Sequence, residues 1–151
     1  MKVVIVGGGA SGFFSAIACK EKFPAATVSI LEKTDKILSK VKVSGGGRCN
    51  VTNACESNAD FLKNYPRGSK QLKKTFGRFG RSETLDWFEN RGVALKAEAD
   101  GRMFPQSNDS QTIIDCLMSE VKRLGIVILK KHGVASISAL ANGGFDISLS
   151  Q

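Results

Sequence analysis

The chain has 151 residues, of which 42% are hydrophobic and 24% are charged. This length and balance predict one folded domain with a buried core, and they argue against a disordered or fibrous protein. The formal net charge of +8 suits an anionic ligand or partner, although a solvated basic face is the simpler explanation. No apolar run approaches the roughly 20 residues of a membrane-spanning helix, so no membrane partner is expected.

The first predicted elements are a strand, a glycine-rich turn, a helix and a second strand. Lys2–Val6 is a short, continuous apolar run, which is typical of a strand buried inside a parallel sheet. Residues 13–22 are apolar almost all round and predict a helix that ends before Pro24. The β-rich run 28–31 then leads to Glu32, so strand and helix alternate as they do in an α/β fold.

Residues 34–81 show no regular pattern, and shorter elements are predicted after them. Ser82 resembles an N-cap, and the helix that it would begin stops at Gly92. Residues 93–96 predict a strand, and the Asp-Gly pair at 100–101 predicts a turn.

The last part of the chain predicts a helix, a strand and a hairpin. Apolar residues recur at helical spacing over 113–124, and Gly125 is expected to end this helix. Residues 126–129 are continuously apolar and predict a third buried strand. Two alternating runs, 136–140 and 145–149, flank a glycine-containing turn and predict a β-hairpin.

The first glycine turn has the spacing of a dinucleotide-binding fingerprint, Gly7-x-Gly9-x-x-Gly12. Gly7 allows the tight turn out of the strand, Gly9 lets a pyrophosphate approach the backbone, and Gly12 lets the helix pack closely on the strand. Glu32 lies 20 residues after Gly12, at the end of the second strand. A carboxylate there accepts hydrogen bonds from ribose hydroxyls and repels the 2′-phosphate of NADP.

The sequence SGGGRCNVTN at residues 44–53 is a second glycine-rich turn. A simple NAD-binding domain would pass from its second strand straight into another helix and strand, whereas this chain makes a long excursion and follows its third strand with a hairpin. That organisation favours the FAD-binding version of the fold, in which a longer cofactor needs a second close approach to the backbone. Arg48 would neutralise pyrophosphate or stabilise a reduced flavin anion, and Asn50 would bond polar flavin or ribitol edges. A surface loop without a ligand and an NAD-binding dehydrogenase module are the alternatives.

The cysteines and the single histidine do not have the spacing of a metal site. Cys19, Cys49, Cys55 and Cys116 include no Cys-x-x-Cys pair, and His132 is the only histidine. The thiols are interpreted as reduced, which predicts a cytoplasmic protein. Cys49 is interpreted as a small packed side chain rather than a redox centre, and His132 as an exposed loop residue.

Much of the positive charge lies in residues 63–81, which contain seven lysines and arginines and no acid. This segment favours a solvated basic face first, and an anionic ligand, a nucleic acid or an acidic partner second. No RNA- or DNA-binding motif accompanies it, so nucleic acid is the less favoured partner. A basic nucleic-acid-binding flavoprotein fragment is a further alternative function.

Several motifs together resemble the BaiN-like flavoproteins, a family that includes aminoacetone-oxidase-like enzymes and NAD(P)/FAD-dependent oxidoreductases. The motifs are GGGASG, LEK, SGGGRCNVTN and DGRMFP, and the resemblance covers essentially the whole chain. It implies an α/β, Rossmann-like FAD-binding fold, in which a parallel sheet carries helices and a β-meander. It also implies non-covalent FAD, with NAD(P)H as a candidate co-substrate, and transfer of a hydride or electrons between a small molecule and an acceptor.

The resemblance also implies a set of cofactor-binding residues. In the first turn the pyrophosphate would lie against Gly7, Gly9, Ala10, Ser11 and Gly12. Glu32 and Lys33 would lie at the ribose, and the backbone of Val134 would contact adenine. The middle and the flavin end of FAD would be lined by Lys40, Gly46, Gly47, Arg48, Cys49 and Asn50. No catalytic residue and no metal ligand is assigned.

Members of this family are considerably longer than the present chain. Residues 1–151 are therefore expected to be the N-terminal part of an FAD-binding domain, with inserted loops and helices at 34–110 and a hairpin or meander at 134–150. The C-terminal completion of the fold and the substrate domain are expected to be absent. The truncated fold would then expose a sheet edge and apolar surface.

Overall fold

The computed structural model describes residues 1–150. The chain divides into two compact units, here called unit 1 (Met1–Val41 with Leu117–Gln151) and unit 2 (Lys42–Cys116). Along the chain the elements are β1 (Lys2–Val6), α1 (Ala10–Lys22), β2 (Thr27–Glu32), α2 (Ser39–Gly47), β3 (Thr52–Asn53), α3 (Asn58–Lys63), α4 (Ser69–Phe76), α5 (Arg81–Glu89), β4 (Leu95–Ala97), β5 (Arg102–Pro105), α6 (Ser110–Arg123), β6 (Val127–Lys130), β7 (Val134–Ala139) and β8 (Phe145–Leu149). Among these helices, none has the length and apolar character that crossing a membrane requires.

Unit 1 is built on a parallel sheet with the strand order β1-β2-β6. Ile5 of β1 lies beside Ile30 of β2, and Ile30 lies beside Ile128 of β6. Successive parallel strands in this spatial order make up half of a Rossmann sheet. The helix α1 contacts β1 and β2, and its Phe13 and Ile17 are fully buried. The predicted α/β fold with a parallel sheet is confirmed.

The two outer strands of this sheet are less buried than the sequence predicts. Val6 on β1 is 51% exposed and Val127 on β6 is 47% exposed, whereas Val28 and Ile30 on the central β2 are buried. The prediction that β1 and β6 are buried on both faces is wrong for residues 1–150. Each of them pairs there with β2 alone, and its faces are only partly covered.

The chain from α6 to β8 follows the sequence prediction. The helix α6 ends before Gly125, which has a φ of +65° and so leaves the helical conformation. β7 and β8 pair antiparallel, with Ile137 beside Ile147. Their turn contains Gly143 and Gly144 at positive φ. The predicted hairpin is therefore confirmed.

Unit 2 contains a small antiparallel sheet with the strand order β3-β5-β4. Met103 and Phe104 of the central β5 are buried, as are Phe61 of α3 and Phe88 of α5. Residues 34–81, which show no regular pattern in the sequence, contain α2, β3, α3 and α4. These elements are too short to show a hydrophobic period, and such short helices depend on tertiary packing for their stability.

Helix ends in unit 2 use caps that sequence signals only partly predict. Ser57 caps α3, because its hydroxyl accepts a hydrogen bond from the Asp60 N–H. The predicted Ser82 cap is wrong: Gly80 is the N-cap of α5, and its N–H donates to Glu83 Oε2 at 2.8 Å. The Glu83 carboxylate thus accepts from the N–H of the N-cap residue, as the third-position acid of a capping box does.

Candidate functional site

The first glycine turn connects β1 to α1 at the carboxyl end of the parallel sheet. Gly7 has a φ of +106°, a conformation that favours glycine. A Cβ added to Gly12 would lie 2.0 Å from the Gly7 carbonyl oxygen, so α1 lies too close to the turn for any side chain at this position. The roles predicted for these two glycines, a tight turn and close helix packing, both have a geometric basis.

The start of α1 is an open cradle that fits a phosphate group. Gly9 is the N-cap, and a Cβ added there would meet no atom within 4 Å. Within the described turn at 9–13, no side chain caps the helix and no acid lies in its first turn. Ala10 and Ser11 are exposed beside it. Uncapped N–H groups and the positive end of the helix dipole favour an anion at this place.

Glu32 fastens the glycine turn to the end of β2. Its Oε2 accepts a hydrogen bond from the Gly8 N–H at 2.9 Å, and its Oε1 accepts one from the Thr34 N–H at 2.9 Å. These backbone bonds lower the pKa of the Glu32 carboxyl, which is therefore ionised at neutral pH. Oε1 also accepts from the Thr34 hydroxyl at 2.9 Å, so both of its lone pairs are engaged. Oε2 keeps a further lone pair, so Glu32 can hold the turn and still accept from a ribose hydroxyl.

Gly8 is a site residue that the sequence interpretation missed. A Cβ added to Gly8 would lie 3.0 Å from Ile37 Cγ2 and 3.1 Å from Glu32 Cβ. Its N–H holds the Glu32 carboxylate, and its carbonyl accepts from the Leu38 N–H at 2.8 Å. The fingerprint requires glycine at positions 7 and 9 but accepts any residue at position 8. A third glycine between them was therefore the signal in the sequence that position 8 is also constrained.

A cleft of about 250 Å³ opens at the carboxyl ends of β1 and β2. The predicted residues among those that line it are Gly7, Glu32, Lys33 and Val134. It is smaller than the roughly 300–1,000 Å³ of a pocket for a whole drug-sized ligand, so it suits one end of a longer cofactor. Lys40 is exposed on α2 and is not part of this lining.

Five further residues line this cleft and were not predicted as site residues: Val6, Leu31, His132, Gly133 and Ser150. His132 is half-buried rather than exposed, and its backbone N–H donates to the Glu32 carbonyl at 2.8 Å. The Gly133 carbonyl accepts from the Ser150 N–H at 2.7 Å. The expectation of an exposed histidine is corrected, because the return of the chain after β6 places it against β2.

The second glycine turn forms the end of the segment labelled α2, where Ser44, Gly45 and Gly46 leave the helical conformation. Its three successive glycines have positive φ, but they have different surroundings. A Cβ added to Gly45 would lie 2.8 Å from Phe104 Cε1 and 2.9 Å from the Asn50 backbone nitrogen. Gly46 and Gly47 face open space, since an added Cβ would meet nothing within 4 Å. Packing therefore requires glycine at position 45, and the open backbone of the next two residues is accessible to a ligand.

Arg48 is already engaged within unit 2. Its guanidinium forms an ion pair with Glu98 and lies 4.0 Å from the centre of the Phe104 ring. Glu98 also lies 3.6 Å from Arg102. The contact of a cation with both a carboxylate and an aromatic face holds the guanidinium in one orientation. The charge that was predicted to neutralise a cofactor phosphate is thus partly balanced by Glu98.

Asn50 joins the second turn to β5, and Cys49 is buried within the turn. Cys49 is buried at a φ of +60°, and burial raises the pKa of its thiol, which favours the neutral form. A neutral thiol is a poor nucleophile, as expected of a packed side chain. Asn50 Oδ1 accepts a hydrogen bond from the Met103 N–H at 3.2 Å.

The second turn continues into a polar pocket of about 460 Å³ within unit 2. Its lining consists of Asn50, Val51, Thr52, Asn53, Phe61, Asn64 and Tyr65. Amide and hydroxyl groups predominate, and no charged side chain is among them. This chemistry suits an uncharged heterocycle with hydrogen-bonding edges.

The predicted site residues thus fall into two groups, each with its own geometry. In unit 1 the structure brings together the first glycine turn, Glu32, Lys33 and Val134. In unit 2 it brings Arg48 and Asn50 together with β5, and Cys49 is buried between them in the chain. Among residues 1–150, no group of three or more histidine, cysteine or acidic side chains is arranged to hold a metal ion.

The sequence has relatives of known activity. A 3-dehydro-bile acid delta(4,6)-reductase of Clostridium scindens is 31% identical over 142 residues, which are 94% of this chain and 34% of that protein. A ribosomal RNA dihydrouridine synthase of Escherichia coli is 29% identical over 147 residues, which are 97% of this chain and 35% of that protein. The chain therefore spans about a third of the length of these relatives.

Solved structures with a similar fold have little sequence identity to this chain. The 3-ketosteroid-delta4-(5alpha)-dehydrogenase of Rhodococcus jostii superposes with a TM-score of 0.72 at 16% identity, over 99% of this chain and 41% of that one. The E. coli quinol fumarate reductase superposes with a TM-score of 0.68 at 16% identity, over 93% of this chain and 28% of that one. These two superpositions support the Rossmann-like fold of this chain.

The family itself is shown by a match over the entire chain. Residues 1–151 match the family described as the HI0933-like protein Rossmann domain. This match confirms the resemblance to BaiN-like flavoproteins that the motifs GGGASG and SGGGRCNVTN indicated. The chain belongs to the HI0933-like family, whose Rossmann domain it carries.

Proposed function

We propose that this chain is the N-terminal, FAD-binding part of a flavoprotein oxidoreductase. The observation that carries the proposal is the open start of α1, where a Cβ at Gly9 would meet no atom within 4 Å and where Glu32 fastens the turn through Gly8. In this proposal residues 34–110 are inserted loops and helices and residues 134–150 are the hairpin or meander of the FAD domain. The remaining parts of the whole protein would complete the fold and bind the substrate.

The adenosine half of FAD is assigned to unit 1. The pyrophosphate would lie against Gly7, Gly9, Ala10, Ser11 and Gly12 at the helix start. Glu32 and Lys33 would hold the ribose, and the Val134 backbone would meet the adenine. Support comes from the cleft of about 250 Å³, which Glu32, Lys33 and Val134 line together.

The flavin half is assigned to a second set of residues: Lys40, Gly46, Gly47, Arg48, Cys49 and Asn50. The open backbone of Gly46 and Gly47 supports close approach of a planar ring or its ribitol chain. When bound, FAD supplies hydride and electron transfer between a small molecule and an acceptor, with NAD(P)H as the proposed co-substrate. The part of this chain is to bind the cofactor and to set the electrostatic field around it.

Titration of the purified chain with FAD and with NAD⁺, followed by visible absorbance after removal of free cofactor, tests this proposal. We expect a retained flavin spectrum and tighter binding of FAD than of NAD⁺, because only FAD carries a flavin half for the second set of residues to bind. Binding of NAD⁺ that is equal to or tighter than that of FAD would instead support an NAD-binding module and contradict the flavin assignment.

A pair of variants separates a flavin role of Arg48 from its structural role. Arg48→Ala and Glu98→Gln both break the same ion pair, and each is expected to lower the free energy of unfolding by roughly 1 kcal/mol. Only Arg48→Ala removes the cation, so only this variant should weaken FAD binding, by about tenfold or more for one charge-assisted hydrogen bond. The measurements are FAD affinity and urea unfolding. An equal loss of FAD affinity in both variants would show that Arg48 acts through the fold alone.

A further inference from the structure

The basic segment that FAD binding does not use forms a concave surface in unit 2. A cleft of about 350 Å³ lies between α3, α4 and the residues that join them, and is here called the lysine cleft. Its lining combines Lys63, Lys70 and Lys73 with apolar and aromatic residues that include Leu62, Tyr65 and Pro66. Apolar side chains beside charges of one sign are the two components of a protein-docking surface.

The charges of the lysine cleft are poorly balanced by the protein itself. Lys63 Nζ pairs with Asp60 Oδ1 at 2.7 Å. Within residues 1–150, Lys70 and Lys73 have no carboxylate within ion-pair distance. They lie on α4, whose first turn has no acid and whose last turn adds Lys74. Like charges at these spacings destabilise a helix, and carboxylates of a partner would relieve that cost.

The apolar part of the lysine cleft has a fixed shape. The Tyr65 ring meets the rings of Phe61 and Phe76 at centroid distances of 5.6 and 5.3 Å, so packing sets its position. Tyr65 is nevertheless 36% exposed, and Leu62 is half-buried beside it in the lining. A preformed apolar surface of this kind suits one anchoring side chain, because little ordering of the cleft is needed when the side chain binds.

The chemistry of the lining favours a peptide over other anionic occupants. Within the described lining, Ser69 and Tyr65 carry the only uncharged polar side-chain groups, so a nucleic acid base would find few hydrogen-bonding partners. A free anion would leave the apolar residues uncovered, and a lipid surface does not enter a concave cleft. An acidic peptide supplies both an apolar side chain and carboxylates.

We propose that the lysine cleft docks an acidic segment of a partner protein. One apolar side chain of that segment lies against Leu62, Tyr65 and Pro66, and its carboxylates pair with Lys70 and Lys73. Positive charges outside the cleft extend the attraction, since Arg67 and Arg78 are exposed in the same acid-free segment. Such charges raise the rate at which an acidic partner associates. This interaction goes beyond FAD binding and does not require it.

The test begins with the fluorescence anisotropy of a labelled peptide in which glutamates flank one leucine on both sides. We expect saturable binding that weakens as salt is added, because exposed charges are screened. A peptide with alanine in place of the leucine should bind about tenfold more weakly, since it loses the apolar contact. A peptide with glutamine in place of every glutamate should lose binding, because it offers no carboxylate to the lysines.

Two variants of the chain test the two components of the cleft separately. Lys70→Gln with Lys73→Gln removes two cations but keeps the helix propensity of α4, and should weaken binding of the leucine peptide by about 3–10-fold. Ala59 is exposed on α3 and lines the cleft. Ala59→Leu should fill the space of the anchor and weaken the leucine peptide by roughly tenfold, with little effect on the alanine peptide.

The matched control removes the same charge elsewhere, by Lys22→Gln with Lys122→Gln in the last turns of α1 and α6. It should bind the leucine peptide almost as tightly as the unchanged chain. Equal losses in the two double variants would overturn the proposal, since they would show a general effect of net charge.

Three other results would also overturn the proposal. The first is equal affinity for the leucine and alanine peptides, which would show that no side chain is anchored. The second is absence of peptide binding up to millimolar concentrations. The third is binding of oligouridine RNA or of phosphatidylserine vesicles, but not of the peptide, that Lys70→Gln with Lys73→Gln weakens. FAD absorbance measured on the same samples reports the flavin proposal independently.

Discussion

A chain that carries Gly9→Val is expected to keep its fold and to bind FAD about 10–100-fold more weakly than the unchanged chain. A loss of this size is usual when a side chain is added to a space that another group must fill, here the pyrophosphate. Gly9 has a φ of −89° and a ψ of −177°, an extended conformation that valine adopts readily. Its added side chain would enter the space before the start of α1, where the pyrophosphate is proposed to lie. FAD affinity and urea unfolding are the measurements, and stability should fall by no more than about 1 kcal/mol for the less favourable N-cap.

Gly12→Ala is the control for this variant, because it adds a side chain in the same turn at a packed position. Its Cβ would lie 2.0 Å from the Gly7 carbonyl oxygen, so the β1–α1 packing must shift and the free energy of unfolding should fall by about 3 kcal/mol or more. Unchanged FAD affinity in the Gly9→Val chain would contradict the pyrophosphate assignment. Unfolding as extensive as that of the Gly12→Ala chain would show that Gly9 serves the fold.

The part of the fold that the sequence predicts well depends on local signals. The strand, glycine turn, helix and second strand of 1–32 were predicted in order because apolar runs, glycines and a proline mark their limits within a few residues. The hairpin at β7 and β8 was predicted for the same reason, from two alternating runs and the glycines between them. Such signals need no knowledge of distant parts of the chain.

Burial and short elements were predicted poorly because they depend on distant contacts. An apolar run such as 126–129 does not reveal whether a strand lies at the centre or the edge of a sheet. The central strand of unit 2, β5, pairs with β3 and β4, and its main-chain partners lie up to 52 residues away, as for Val51 and Met103. No periodicity in six residues of α3 could have shown that Phe61 is buried.

The candidate site was predictable in its spacing but not in its hydrogen bonds. The distance from the fingerprint to Glu32 predicted a carboxylate at the end of β2, whereas its bond to Gly8 joins residues 24 positions apart. In the same way, Arg48 was singled out as a cation for a cofactor, but its partner Glu98 lies 50 positions away. Sequence order does not indicate which charge a folded chain has already neutralised.

A second large effect is expected for Gly45→Ala, which should lower the free energy of unfolding by about 2–5 kcal/mol. The new Cβ would lie 2.8 Å from Phe104 Cε1 and 2.9 Å from the Asn50 backbone nitrogen, and the φ of +56° is strained for alanine. Phe104 is fully buried and cannot move away without opening the core of unit 2. Urea unfolding of the cofactor-free chain measures the change.

Gly46→Ala is the matched control, since it has a similar φ of +68° but an added Cβ that meets no atom within 4 Å. It should cost only the backbone strain, about 1–2 kcal/mol. Equal losses of stability in the two variants would mean that Phe104 and Asn50 do not require a glycine at position 45. If Gly45→Ala lowers the free energy of unfolding more than Gly46→Ala does, the three glycines have different roles. The first lets the turn pack on β5, and the next two keep an open backbone that only a bound ligand would use, which the sequence GGG alone could not distinguish.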